Sequence, residues 1–125
     1  MIKDKKLVIV IPSEAPGGLT ARLSPHFAYC ETYTIITIRN NVVSHVATRP
    51  NTTQESNIKR AIQNITELQA NILILRGIGL HPLAILQQKG IKIYYSKNLP
   101  TVSIVLSSFL QGMLISYKQS PHTSS

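Results

Sequence analysis

The sequence has one cysteine, Cys30, no tryptophan, and only five carboxylate side chains among its 125 residues. A single thiol closes no internal disulfide, so the fold needs no oxidising compartment, and a cytoplasmic location is expected with Cys30 left available for chemistry. The acids, Asp4, Glu14, Glu31, Glu55 and Glu67, are scattered. Two-metal hydrolysis requires converging carboxylates that hold hard cations about 3.5–4 Å apart, so a hydrolase is not expected. Long apolar runs are also missing. The stretch Leu7 to Ile11 is the longest aliphatic one, far short of the roughly 20 residues that cross a bilayer. Lys3, Lys5 and Lys6 imitate the start of a signal peptide, but the apolar region behind them is short and ends at Pro12, so secretion is not expected. Five tyrosines and two phenylalanines, with the cations mostly dispersed, do not supply the aromatic platform of a single-strand nucleic-acid binder.

Basic charge is abundant. Thirteen Lys and Arg against five Asp and Glu give a formal charge of +8, which favours anionic partners: nucleic acid, phosphates, an acidic protein surface or an anionic metal cluster. With 43% hydrophobic residues, a chain of this length can bury one domain core. The domain is expected over residues 1–116, with 117–125 as a disordered polar tail.

Lys6 to Pro12, KLVIVIP, is the β-branched run of a strand buried on both faces. Ser13 to Pro25 is broken by Pro16, Gly17, Gly18 and Pro25 and reads as a long loop. Thr32–Arg39 and Asn41–Arg49 flank paired asparagines that tolerate the positive φ of a tight hairpin turn. Thr52 to Glu55 has capping-box spacing, followed by Ile58, Ala61, Ile62, Ile65 and Leu68 on one helical face, with Asn57, Lys59, Arg60, Asn64 and Glu67 opposite. Asn71–Leu75 and Ile91–Tyr95 are short strands around a helix from about Pro82 to Lys89, closed by Gly90. Thr101 is the expected cap of a last helix that carries Val102, Val105, Leu106, Phe109, Leu110 and Met113. The order predicts an α/β fold: a mixed five-stranded sheet with three helices on its two faces. Ligands of such sheets sit at the carboxyl ends of parallel strands, which singles out Ser13–Glu31 and Arg76–Pro82.

His26 and Cys30 stand four apart in SPHFAYC and would point the same way in one helical turn. Imidazole and thiolate are donors for iron-sulfur clusters, zinc or copper, although two donors do not close a tetrahedral zinc site. Cysteine is also among the most buried residue types, and a histidine before phenylalanine can fix a turn, so a packing role stands beside the metal-ligand role. No Asn or Asp is marked to orient a Cys-His dyad, and catalysis is not expected. In Arg76-Gly77-Ile78-Gly79 the glycines could let backbone N–H groups approach an anion near Arg76, or could simply permit a strand-to-helix turn. The Walker lysine and the six-position dinucleotide fingerprint are absent. His81 beside this turn either extends the site or is an exposed first-turn residue.

Three segments together resemble the dinitrogenase iron-molybdenum cofactor biosynthesis family, which includes NifX and NafY type carriers and the C-terminal domain of NifB. Leu23-Ser24-Pro25-His26-Phe27-Ala28-Tyr29-Cys30 is similar to the family's Ser-x-His-Phe-Gly-x-Ala/Cys segment. Arg76-Gly77-Ile78-Gly79 with Gly90-Ile91-Lys92-Ile93 is similar to its Gly-x-Ile-Gly turn, helix and Gly-Ile strand. Thr101-Val102 through Phe109-Leu110, Gly112 and Leu114 is similar to its closing helix. The resemblance spans about residues 6–115. It implies a three-layer α/β/α, ribonuclease H-like fold without nuclease chemistry, and a noncatalytic carrier of an iron-sulfur or iron-molybdenum cofactor cluster that works with metallocofactor assembly proteins, as in nitrogen fixation. It implies His26, and Cys30 second, as metal ligands, with Gly77 and Gly79 as the second wall of the crevice; the residues themselves add Arg76 and His81 as further cofactor-binding candidates beside that turn. Ala28 stands where the family often has glycine, and Thr48-Arg49-Pro50-Asn51-Thr52-Thr53 replaces a stretch that contains His-Gly in many members. The alternative is a basic interaction module for nucleic acid or an acidic protein partner.

Overall fold

A computed structural model describes residues 5–51 and 58–117. Its elements are β1 (Lys6–Ser13), β2 (Thr32–Arg39), β3 (Val42–Pro50), α1 (Ile58–Glu67), β4 (Ile72–Leu75), α2 (Leu80–Gln88), β5 (Lys92–Tyr95), α3 (Val102–Leu110) and β6 (Ile115–Ser116). They form one sheet in the order β3-β2-β1-β4-β5-β6. β1 is central because its apolar run suits both faces. It pairs antiparallel with β2 along its length and parallel with β4 through Ile9↔Ile72 and Val10↔Leu73. Alternation then sends Val8 and Val10 to a core with α1 and α2, and Ile9 and Ile11 to a core under α3. These are the three layers expected.

Local chemistry sets the turns. Asn40 and Asn41 adopt φ of 54° and 69°, and the Asn40 side chain accepts from Lys5 N at 3.1 Å while its N–H donates to Lys5 O at 3.0 Å. Gly90 lies at φ 85°, and α2 closes with Gly90 N–H to Gln87 O and Ile91 N–H to Leu86 O, the paired bonds of a Schellman end. The Thr101 side chain accepts from Ile104 N at 3.5 Å and caps α3. The capping box expected at Thr52–Glu55, and Asn57, lie outside the described residues.

The sheet has six strands rather than five. The periodicity that suggested a helix through Met113 is cut at Leu110, because Gly112 takes φ 74° and donates to Phe109 O while Met113 N–H donates to Ser108 O. The chain thus turns back, and Ile115 and Ser116 pair with Tyr95 and Tyr94. Tyr117, expected at the start of the tail, is held by its N–H to Ile93 O at 2.8 Å and by an edge contact with Tyr95. Among the described residues, no helix is long and apolar enough to cross a membrane.

Candidate functional site

β1, β4 and β5 run parallel and end together at Ser13, Leu75 and Tyr95. From β1 the chain passes to β2 on one side, and from β4 through α2 to β5 on the other. The boundary between β1 and β4 is therefore the switch point at which open α/β sheets leave a crevice.

The long loop after β1 is ordered by backbone bonds rather than by a helix or strand of its own. Glu14 N–H donates to Arg22 O at 2.9 Å, Ser24 N–H to Pro12 O at 2.9 Å, and the start of α3 is tied to it through Val102 N–H to Ala21 O and Ser103 N–H to Leu19 O. Ala21 and Leu23 fill the α3 core. Arg22, bridged to Thr101, is exposed between these two anchors. It lines, with Arg76, Glu14 and Asn98, a crevice of about 200 Å³ completed by Leu23, Leu99 and Pro100. Two arginines and one glutamate line it, so the crevice favours an anion. Neither Arg22 nor Asn98 was marked in the sequence, because only the fold brings the loop after β1 beside the turn after β5.

Ser24 shapes the next turn. Its hydroxyl accepts from His26 N at 3.1 Å and lies 3.2 Å from His26 O, which presents the imidazole outward. His26 is exposed and meets Tyr29 edge to face at 5.7 Å. Phe27, Ala28 and Cys30 turn inward to the α1–α2 core. No helical turn forms over this stretch, so His26 and Cys30 do not share a direction. Cys30 is 3% exposed, its carbonyl accepts from Asn51 Nδ2 at 2.9 Å, and its Sγ lies 3.8 Å from the same nitrogen. Burial pushes the thiol's pKa up, against the lowering effect of Tyr33 and Asn51. Cys30 is thereby held as a neutral thiol near neutral pH.

Gly77 and Gly79 sit after β4 without positive φ. A Cβ at Gly77 would meet nothing within 4 Å, and one at Gly79 would come no closer than 3.7 Å to Pro82. Neither glycine is required by the turn itself; what they supply is open space. Arg76 joins the crevice, whereas His81 faces elsewhere. It lines a largely apolar groove between α1 and α2, with Ile58, Ile62, Ile85 and Lys89. Among the described residues no three His, Cys, Asp or Glu side chains are grouped to hold a metal ion.

Three layers, with a crevice lined by Arg22 and Arg76 at the strand switch point, define a small three-layer α/β protein. Within that class, the chain belongs to the dinitrogenase iron-molybdenum cofactor family, whose family model matches residues 5–112. Membership ties it to cofactor biosynthesis. The chain is 26% identical over 117 residues to the uncharacterized protein MJ0580 of Methanocaldococcus jannaschii, covering 91% of this chain and 94% of the relative. Among solved structures, the apo form of the orange protein from Desulfovibrio gigas matches with a TM-score of 0.77 at 20% identity, over 92% of this chain and 96% of that one. The protein PH0822 matches with a TM-score of 0.75 at 20% identity, over 89% and 96%. Both likenesses are of fold.

Proposed function

We propose that this protein is a noncatalytic carrier that holds an anionic iron-sulfur or iron-molybdenum-type cluster for exchange between metallocofactor assembly proteins. The observation that carries the reading is the convergence of Arg22 and Arg76 on one crevice at the switch point of a chain of this family. In this reading the two guanidinium groups offset cluster charge, and the open space at Gly77 lets the cargo approach the end of β4. His26, exposed on the loop after β1, supplies an imidazole ligand, and Cys30 below it is a packing residue. One open protein ligand backed by electrostatics suits release as well as capture, since a closed set of four would have to be dismantled at each transfer.

The test is anaerobic incubation with preformed iron-sulfur cluster or iron-molybdenum cofactor, followed by gel filtration and absorbance. The intact protein is expected to retain cluster stoichiometrically with a charge-transfer band. His26→Ala and the double variant Arg22→Gln, Arg76→Gln are expected to lower retention by about tenfold or more, while Cys30→Ala keeps it. Failure of the intact protein to retain either cluster would sink the reading. Steeply salt-dependent binding of nucleic acid that ignores all these substitutions would favour a basic interaction module instead.

A further inference from the structure

His81, which does not join the crevice, stands in the wall of a largely apolar groove of about 730 Å³ between α1 and α2. Both helices return the chain to the start of a parallel strand on one face of the sheet, so they lie side by side and run the same way. Each offers the groove one row at four-residue spacing: Ile58, Ile62 and Thr66 from α1, and His81, Ile85 and Lys89 from α2 and its C-cap. Ile62 closes into the core, whereas Ile58 is 45% exposed and Ile85 is half-buried. Thr66 needs no partner from outside, because its hydroxyl donates to Ile62 O at 2.8 Å.

The polar groups of the rim divide in two. Along α1, Gln63 Nε2 donates to Glu67 at 3.1 Å and Arg60 donates to Gln63 at 3.3 Å, so these side chains satisfy one another. Lys59 and Lys89 are exposed, and among the described residues neither is paired with a carboxylate. Lys59 stands in the first turn of α1 and Lys89 just past the last residue of α2, on opposite sides and toward opposite ends of the groove. An occupant lying along it covers isoleucine side chains between the helices and meets a cation toward each end.

Two parallel helices that each present a row of side chains leave a furrow which a third helix enters with its own four-residue ridge. The lysines then fix the sign of that helix. A second copy of this chain would bring the same basic rims, with a formal charge of +8 on each chain. The chain's own remaining segments do not supply the ridge: residues 52–57 and 118–125 contain no aliphatic side chain besides Pro121, and Met1 and Ile2 lead into Lys3, Lys5 and Lys6, of the same sign as the rims. We propose that the groove docks an amphipathic helix of an acidic partner protein, its aliphatic ridge on Ile58 and Ile85 and its carboxylates at Lys59 and Lys89. Such docking needs no cluster, so its test runs on the protein alone.

The probe is an alanine-rich helical peptide of about 18 residues with leucines at four-residue spacing and glutamates flanking them. A second peptide carries lysine at every glutamate position. Each is titrated into the isotope-labelled full chain and followed by amide chemical shifts. Saturable binding of the glutamate peptide is expected, with the shifts gathered on α1 and α2 and the lysine peptide at least about tenfold weaker. Ile58→Ser is expected to weaken the glutamate peptide about tenfold, and Lys59→Glu combined with Lys89→Glu to reverse the preference between the two peptides. The Arg22→Gln, Arg76→Gln variant is expected to bind as the native chain does. The proposal is overturned by absence of saturable binding, by equal affinity for the two peptides, by shifts spread over the basic surface at large, or by concentration-dependent dimerisation that Ile58→Ser abolishes, which would assign the groove to a second copy.

Discussion

Asn51 clasps Cys30: its Nδ2 donates to the Cys30 carbonyl at 2.9 Å and stands 3.8 Å from Sγ, while its own N–H donates to Glu31 O at 3.0 Å. The end of β3 thereby fixes the inward half of the loop whose outward half presents His26. Replacing the side chain by alanine leaves the part-buried carbonyl without this donor, at a cost of about 1 kcal/mol. Asn51→Ala is therefore expected to lower the urea midpoint. It is also expected to speed modification of Cys30 by a thiol reagent in native buffer. A shifted midpoint with an unreactive thiol would mean that Asn51 supports the strand end and not the loop.

A second prediction concerns high pH. Burial pushes the Tyr33 phenol up from 10.0 to about 12, with the nearby Cys30 adding to the shift, and pushes the Cys30 thiol up from 9.0. Both protons leave the unfolded chain first, so between the ordinary and the raised values the unfolded state binds fewer protons and stability falls as pH rises. Urea midpoints are expected to be level between pH 7 and 8, then to decline from about pH 9 towards pH 12. Tyr33→Phe removes one of the two groups and is expected to flatten the upper part of that decline. A native profile already flat to pH 11 would contradict the burial described here.

The parts of this molecule that were legible in the sequence are those governed by neighbours in the chain. Asn40-Asn41, Gly90 and Thr101 each announce a turn or cap through their own backbone or side-chain chemistry, and the β-branched run of β1 announces a central strand. β6 was not legible, because a two-residue strand has no period and forms only after Gly112 reverses the chain. The divergence of His26 and Cys30 was hidden for a related reason. Spacing of four implies one direction only in a helix, and this loop instead takes its geometry from Ser24 and from the core that receives Phe27, Ala28 and Cys30. The crevice depends on Arg22 and Arg76 meeting across the sheet end, which no local window contains.

Gly17 gives a third prediction, at the fold of the same loop. It adopts φ 81°, and a Cβ would stand 2.9 Å from Thr48 Cγ2 and 3.0 Å from Thr32 Cγ2. Thr32 yields little, since its hydroxyl donates to Arg49 O at 2.9 Å and it is buried. Left-handed strain and overpacking combine in Gly17→Ala, with an expected loss of about 2–4 kcal/mol in chemical denaturation. A cost below about 0.5 kcal/mol would show that the loop shifts freely over the hairpin.

Gly77 is the opposite case and separates a structural glycine from a functional one. Its φ is not in the left-handed region, and a Cβ there has open space, so Gly77→Ala should change unfolding free energy by no more than about 0.5 kcal/mol in either direction. The added methyl projects at the carboxyl end of β4, beside Arg76 of the crevice. If the open space serves the approach of a cluster, the alanine variant is expected to retain cluster less well than the native chain in the anaerobic assay, and a larger side chain in Gly77→Val less well again. Unchanged stability with graded loss of retention would assign the glycine to ligand approach. Retention equal to that of the native chain in both variants would remove Gly77 from the proposed site and leave it resting on Arg22 and Arg76 of the crevice and on His26 of the loop after β1.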